Sequence, residues 1–305
     1  MLHPRRPHHD RQSGARRRLL APAVVGLVLL VSACAPSPAP GMVDDPNPLR
    51  STLIANHYGT NLSFTQTDVA YGLGDQHRLD VLESPSPTTR GTIVFVHGGA
   101  FVWGDKSQLL GGEHGALVYQ HTRGWDLVSV GYTLGENTYP AGYHDVALAV
   151  SWVKEHGASI GLDTSKVVLA GHSAGATLAA MVATTPGATT PYGTVPRVDG
   201  WVAVSGLHDF ANGGAYITDP WGVPAGHRAT VSPVAQLDAN DPPGYLVHGD
   251  ADPMVRPMQS ERLHARAVAV GANVRFDLVD TGVLSCRRHE PLCGANLSAL
   301  NAFLS

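Results

Sequence analysis

The sequence predicts an α/β protein with one mostly parallel sheet and helices on both of its faces. Short apolar runs alternate with stretches of helical spacing over about 200 residues, and this alternation is typical of a parallel, doubly wound sheet. The polar and glycine-rich motifs come directly after apolar runs. In such a sheet, ligand sites lie at the carboxyl ends of the strands, so the motif positions agree with the predicted fold. With 305 residues, the chain is long enough for one sizeable domain of this kind.

Each strand and helix is predicted from its own local pattern. The run TIVFV at 92–96 is β-branched or aromatic throughout, which favours a strand buried on both faces. In the stretch 145–156, Val146, Ala149, Val150 and Val153 share one helical face. In chain order, the predicted strands are 69–71, 78–82, 92–96, 126–130, 167–170, 201–204, 244–247 and 274–279, and the predicted helices are 145–156, 174–183, 260–270 and 296–304.

The amino-terminal region has the pattern of an export signal. Six arginines precede the apolar run 19–35, whose 17 residues are fewer than the roughly 20 that a spanning helix needs and suit a signal-peptide core. The run includes Val-Ser-Ala-Cys at 31–34, which resembles the bacterial lipobox. We therefore expect 1–33 to be a lipoprotein-type signal peptide and Cys34 to carry the lipid. A plain signal peptide or an uncleaved anchor is the alternative.

The remaining chain is predicted to be a tether followed by one acidic domain. Residues 34–50 include five prolines and few large apolar residues, which is typical of an extended tether; the domain then covers 51–305. Without residues 1–33, the chain keeps 15 basic and 24 acidic side chains, a net charge near −9. This charge excludes a basic surface for nucleic acid. We expect an exported protein held by its lipid at the bacterial cell membrane, facing outside or towards the periplasm, or else secreted, with no obligate protein partner.

Ser173 is the candidate nucleophile. It lies between Gly171 and Gly175 where a predicted strand turns into a helix. A turn this tight leaves no room for side chains two residues before and after the serine, and it exposes the hydroxyl beside a helix amino terminus. A serine in an ordinary glycine-rich turn is the alternative, because a G-x-S-x-G match alone carries a real false-positive risk.

A second motif could stabilise an oxyanion. The strand 92–96 runs into His97-Gly98-Gly99-Ala100. Glycines after a buried strand leave backbone N–H groups unobstructed, so the amides of Gly98, Gly99 and Ala100, together with that of Ala174, could bind the oxyanion of an acyl-transfer intermediate. His97 is expected to brace the loop.

The acid and the base are predicted from position along the chain. Asp250 and Asp252 both follow the strand 244–247, and Asp252 is favoured because it lies further into the loop. In hydrolases whose serine lies in such a strand-to-helix turn, the serine comes first along the chain, then the acid, then the histidine. Only His264 and His289 follow Asp252, and His264 is expected mid-helix, so His289 is the candidate base.

Two cysteines bracket this histidine. Cys286 and Cys293 form an even pair once Cys34 is assigned to the lipid, which suggests one disulfide in an exported protein. Two free thiols remain the alternative. If formed, the bond closes a loop of eight residues and holds the candidate base in a rigid segment.

Several motifs together resemble the α/β-hydrolase superfamily, most closely its esterase/lipase branch with a His-Gly-Gly oxyanion loop. That branch includes acetyl esterases, feruloyl and acetyl-xylan esterases and kynurenine formamidase-like enzymes. The motifs are LDVLE at 79–83, HGGAFVWGDK at 97–106, GYTLGENTYPAGYHDV at 131–146, GHSAG at 171–175 and HGDADPMV at 248–255. The chain departs from the branch at Ala100, where many relatives have a third glycine, and in the cysteine-bracketed loop around His289.

The resemblance implies a serine carboxylic-ester hydrolase of α/β-hydrolase fold. It implies a Ser173–His289–Asp252 triad, an acyl-enzyme intermediate, small or short-acyl ester substrates, and neither metal nor organic cofactor. Only about 40 residues lie between Ser205 and His248, and no long apolar lid precedes the first strand, so we expect a fairly open pocket and little or no cap domain. Trp103 and Tyr132 are candidates for lining the pocket. An amidase or formamidase with the same triad is the alternative within enzymes, a peptidase is a weaker one, and a non-catalytic surface binding protein is the alternative outside enzymes.

Overall fold

The fold is described by a computed structural model over residues 62–111, 113–213, 215–282 and 286–305. The predicted signal peptide, Cys34 and the tether lie outside these residues. The strands of the main sheet are β1 Gln66–Ala70, β2 Arg78–Leu82, β3 Gly91–Val96, β4 Trp125–Val130, β5 Val167–His172, β8 Gly200–Val204, β9 Gly244–Gly249 and β10 Val274–Val279. A separate hairpin consists of β6 Thr189–Thr190 and β7 Gly193–Thr194.

The main sheet is mostly parallel. Its strand order is β1-β2-β4-β3-β5-β8-β9-β10. Every neighbouring pair from β4 to β10 is parallel, whereas β2 pairs antiparallel with both β1 and β4. This architecture confirms the predicted fold class.

Helices flank the sheet. They are α1 Gly115–His121, α2 Ala141–His156, α3 Ala174–Ala183, α4 Ala215–Trp221, α5 Arg228–Val231, α6 Pro233–Gln236, α7 Met258–Val270 and α8 Leu297–Leu304. The predicted helices correspond to α2, α3, α7 and α8, with α2 beginning four residues before its predicted start. None of the helices in the described part of the chain is long and apolar enough to cross a membrane.

Two apolar cores, one on each face, position the sheet. Along β3, Ile93 and Phe95 pack into one core, and Val94 and Val96 pack into the other. Alternate strand residues point to opposite faces, so a strand that is apolar at every position can be buried on both. This is why the uninterrupted run at 92–96 lies centrally in the sheet.

The parallel direction brings four loops to one edge of the sheet. The segments that follow β3, β5, β9 and β10 all leave from carboxyl ends of parallel strands, and they carry the candidate site residues. Between β8 and β9 the described chain forms only the short helices α4, α5 and α6, of seven, four and four residues.

Candidate active site

Ser173 occupies a strained turn between β5 and α3. Its φ of 54° and ψ of −118° lie outside the usual regions for a side-chain-bearing residue. A Cβ on Gly171 would lie 2.3 Å from the backbone carbonyl carbon of Gly175, and one on Gly175 would lie 2.0 Å from the carbonyl oxygen of Val96. Both positions therefore require glycine, for the steric reason that the sequence pattern suggests.

The loop after β3 lies directly against this turn. A Cβ on Gly98 would be 3.2 Å from the Cβ of Ser173. Gly99, Ala100 and Phe101 follow with φ values of 118°, 53° and 65°, so three consecutive residues adopt the left-handed region. The loop is closed by the amides of Val102 and Trp103, which both donate to the carbonyl of Gly99, at 3.0 and 2.9 Å.

Four backbone amides in this region form no hydrogen bond within the described chain. Among the described residues, the N–H groups of Gly98, Gly99, Ala100 and Ala174 have no hydrogen-bond acceptor. Ala174 is the first residue of α3, and the first amides of a helix have no partner within the helix. These are the four amides that the sequence assigns to the oxyanion hole, an assignment that stays a prediction.

His97 braces the loop, as its position suggests. Its Nδ1 lies 2.7 Å from the carbonyl oxygen of Gly98 and, since a carbonyl only accepts, Nδ1 carries the proton. Burial lowers the pKa of His97, which keeps the ring neutral. Tyr132 stacks on this ring at 4.5 Å and donates its hydroxyl to the His97 carbonyl. Tyr132 is fully buried, whereas Trp103 is 71 % exposed.

Asp252 and His289 form a short hydrogen-bonded pair. The distance from Oδ2 of Asp252 to Nδ1 of His289 is 2.7 Å. The Asp252 side chain is fully buried, and that of His289 is 21 % exposed. Burial on its own raises the pKa of Asp252, but hydrogen bonds from His248 and His289 and from the amide of Val255 outweigh it and hold the pKa well below its usual range. The carboxylate is therefore ionised next to the imidazole.

Asp250 has a different role. It accepts hydrogen bonds from the amide and the hydroxyl of Thr281, at 3.1 and 2.9 Å. These bonds, the amide first, lower the pKa of this exposed carboxyl. Asp250 thus braces the turns that follow β9 and β10, and the carboxylate that contacts the imidazole is Asp252.

His248 is a site residue that the sequence reasoning missed. Its Nε2 lies 2.8 Å from the carbonyl oxygen of Val255 and 3.2 Å from Oδ2 of Asp252, and its Nδ1 lies 2.8 Å from the hydroxyl of Ser260. Because both neighbours of Nε2 are acceptors, this nitrogen carries a proton and supports the buried carboxylate. The sequence pattern that could have indicated this role is a histidine near the carboxyl end of a strand, four residues before the candidate acid.

The loop that carries His289 is attached at several points. Cys286 and Cys293 form a disulfide, with their Cα atoms 5.9 Å apart. A Cβ on Gly249 would lie 2.1 Å from the carbonyl oxygen of Arg288, so this loop packs closely on the end of β9. The Nε2 of His172, the residue before Ser173, lies 2.8 Å from the carbonyl oxygen of His289.

The structure brings the candidate acid and base into contact but gives the candidate nucleophile no hydrogen bond among the described residues. Among the described residues, the hydroxyl of Ser173 has no hydrogen-bond partner, and neither has Nε2 of His289. The rings of His289 and His172 are 4.9 Å apart, so the base lies beside the residue that adjoins Ser173. In the described part of the chain, no group of three or more His, Cys, Asp or Glu side chains is arranged to hold a metal ion.

Comparison with known proteins identifies the class. A structure described as a truncated carbohydrate esterase from gut microbiota superposes with a TM-score of 0.67 at 22 % identity, over 79 % of this chain and 95 % of that one. The probable carboxylic ester hydrolase LipM of Mycobacterium tuberculosis is 29 % identical over 73 % of this chain and 54 % of its own length. Fold and sequence together define an α/β-hydrolase of the esterase/lipase type.

Within that class, the chain belongs to the BD-FAE family, whose sequence profile matches residues 79–267. A kynurenine formamidase of Danio rerio is also similar, at 37 % identity over 48 % of each chain. The chain spans about half the length of LipM and of this formamidase. Membership of this family agrees with the predicted enzyme class, a carboxylesterase-type hydrolase.

Proposed function

We propose that the protein is a serine carboxylic-ester hydrolase that acts on small or short-acyl esters through Ser173, His289 and Asp252. The observation that carries the proposal is the 2.7 Å contact between a buried, ionised Asp252 and Nδ1 of His289, at the sheet edge where Ser173 is held in its strained turn. A carboxylate in this position keeps the proton on Nδ1, so Nε2 is left with a lone pair and can act as the base.

The reaction then proceeds in two halves. When an ester binds, Nε2 of His289 must approach the Ser173 hydroxyl to about 3 Å, a contact that often forms only with substrate present. His289 takes the hydroxyl proton while the Ser173 oxygen attacks the carbonyl carbon. His289 next gives that proton to the leaving alcohol, and an acyl-serine remains. The same imidazole takes a proton from water as the water oxygen attacks the acyl-serine, and it returns that proton to the Ser173 oxygen when the bond to the acyl group breaks and the acid leaves.

The amides of Gly98, Gly99, Ala100 and Ala174 are proposed to stabilise both tetrahedral intermediates. They have no acceptors among the described residues, and the loop that carries the first three contacts the turn of Ser173. A preorganised donor of this kind contributes about 3 kcal/mol to lowering the barrier. No step of this proposed reaction requires a metal or an organic cofactor.

The decisive experiment is labelling with a fluorophosphonate probe, which reacts quickly only with an activated serine. We expect rapid labelling of the wild type and turnover of nitrophenyl acetate. Ser173→Ala should abolish labelling and lower kcat by at least about 10⁴-fold. Ser165→Ala, an exposed serine in the turn before β5, is the matched control and should behave like the wild type. An unlabelled wild type, or a Ser173→Ala variant that keeps most of its turnover, would overturn the proposal and favour a binding protein on a hydrolase scaffold.

An amidase or formamidase is the second candidate, favoured by the similarity to the Danio rerio kynurenine formamidase. The same triad can cleave either bond. Turnover of an ester and of the amide with the same acyl group separates the two. We expect kcat/KM to be higher for the ester, and the reverse order would assign the protein to the amidases.

We also propose that the mature protein is a lipoprotein anchored through Cys34. The basic segment, the 17-residue apolar run and the Val-Ser-Ala-Cys sequence support this. The wild type should label with radioactive palmitate and sediment with membranes, whereas Cys34→Ala should do neither. Membrane association that survives this substitution would contradict the proposal.

A further inference from the structure

His172 contacts both halves of the candidate active site. It is the last residue of β5 and directly precedes the nucleophile. On one side, its Nε2 lies 2.8 Å from the carbonyl oxygen of His289. On the other, a Cβ on Gly98 would lie 3.1 Å from its Nδ1. The ring therefore fills the space between the oxyanion loop and the loop that carries the base.

The contact with His289 has a defined direction. A carbonyl oxygen only accepts hydrogen bonds, so Nε2 of His172 carries the proton and donates it. Burial lowers the pKa of His172 well below its ordinary value, and the neighbouring rings of His289 and His114 lower it further, against smaller opposite effects from the hydrogen bond to the His289 carbonyl and from Asp252. The ring stays neutral, so the same nitrogen donates throughout the pH range in which the enzyme would work.

This hydrogen bond has no substitute at the backbone of His289. Among the described residues, no other hydrogen bond involves the carbonyl or the amide of His289. Its side chain is held at one further point, where Nδ1 contacts Asp252. One bond thus holds the backbone of His289 and the other holds its ring, in addition to the disulfide and the packing of Arg288 on Gly249 that hold the loop.

We propose that His172 is a positioning residue, which holds the base of the proposed hydrolase in register with the nucleophile by donating Nε2–H to the His289 carbonyl. The inference rests on the proposed function, since it assigns His289 the role of base. His172 itself takes no part in proton transfer. Its place next to Ser173 means that this hydrogen bond links the turn of the nucleophile directly to the loop of the base.

The test uses three variants of His172. His172→Phe keeps a ring of similar size and removes the donor. His172→Gln places an amide N–H near the position of Nε2, whereas His172→Asn carries the same amide on a chain too short to reach the carbonyl. His264→Phe is the control for losing a histidine, because His264 lies in α7 against Phe276 and away from the site.

We expect His172→Phe and His172→Asn to lower kcat by about 10- to 100-fold, the size of effect that a misplacement of about 1 Å causes, with KM within about twofold of wild type. His172→Gln should recover most of the lost kcat. A residue that only packs would give no such rescue.

The outcomes separate this inference from the proposed function. If the wild type is labelled by the fluorophosphonate probe but His172→Phe and His172→Asn keep kcat within about twofold, His172 is not a positioning residue and the triad stands. The inference also fails, with the triad intact, if His172→Gln is as slow as His172→Asn. If His172→Phe fails to fold, the Gln and Asn pair decides. If the wild type is not labelled at Ser173, both proposals fall.

Discussion

Replacing Gly99 by alanine tests whether the geometry of the oxyanion loop controls turnover. Gly99 has a φ of +118°, and a Cβ at this position would lie 2.0 Å from the carbonyl oxygen of Trp103 and 2.5 Å from its carbonyl carbon. Both are backbone atoms, so no side-chain rotation can relieve the collision. The loop itself must move.

The size of that movement follows from the contact distance. Ordinary van der Waals contact begins at 3.4 Å, so the methyl group and the Trp103 carbonyl must separate by about 1.4 Å. A shift of this size takes an amide donor from about 2.9 Å to beyond hydrogen-bond range of an oxyanion. Losing one donor lowers kcat by about 10²- to 10³-fold, or about 3 to 4 kcal/mol of barrier.

Gly187→Ala is the matched control. Gly187 also has a positive φ, +84°, but a Cβ there meets no atom within 4 Å. Both variants therefore place alanine in the left-handed region, at a cost of about 1 kcal/mol in stability, and only Gly99→Ala adds the collision. The assay is kcat with nitrophenyl acetate, with thermal unfolding to show that both variants are folded. A Gly99→Ala enzyme within about threefold of Gly187→Ala would refute the reasoning.

Three further predictions concern the acid and the loop of the base. Asp252→Asn should lower kcat by about 10⁴-fold because the imidazole loses the partner that sets its tautomer, whereas Asp250→Asn, which only braces turns, should change kcat by less than about threefold; equal losses would contradict the assignment. Replacing both Cys286 and Cys293 with serine should lower the free energy of unfolding in urea by about 2.5 kcal/mol, from the entropy of an eight-residue loop, and should lower kcat while far-ultraviolet dichroism stays unchanged; a wild-type kcat would show that the loop is ordered without the bond. Burial beside a second carboxylate raises the pKa of Glu290 to about 7. The folded state therefore binds the proton of Glu290 more tightly than the unfolded state. This proton contributes fully to the free energy of unfolding below the unfolded pKa of about 4.5, and its contribution is lost as pH rises through 7. Glu290→Gln should therefore melt at a higher temperature than wild type at pH 8 and at the same temperature at pH 4, and a difference independent of pH would count against this.

The main features of the fold were predictable because they depend on local patterns. Buried parallel strands are apolar at nearly every position, and β3, β5 and β9 are buried along their whole length. Glycines two residues on either side of Ser173 indicated a turn without room for side chains, and the measured approaches of Gly171 and Gly175 have that cause. The strand order of the sheet then places the motifs at one edge.

Contacts between distant segments were not predictable in the same way. His172 and His289 are separated by 117 positions, and nothing in the sequence around either histidine indicates that one binds the backbone of the other. The same holds for His248, whose partners come from the turn that follows it and from α7. The short helices α1 and α4 to α6 were missed because four to seven residues show too little periodicity to detect.

Because of the strand order, the proposed activity depends on a strand at the edge of the sheet as well as on its central strands. The turn of Ser173 and the oxyanion loop follow central strands, whereas the candidate base follows β10, the outermost strand at one edge of the sheet. A molecule that has assembled its centre but not yet added this last strand would possess a serine and no imidazole to activate it. Ester turnover would then begin only when the carboxyl-terminal part of the chain docks, so a clip or truncation there would silence the enzyme while most of its architecture survived.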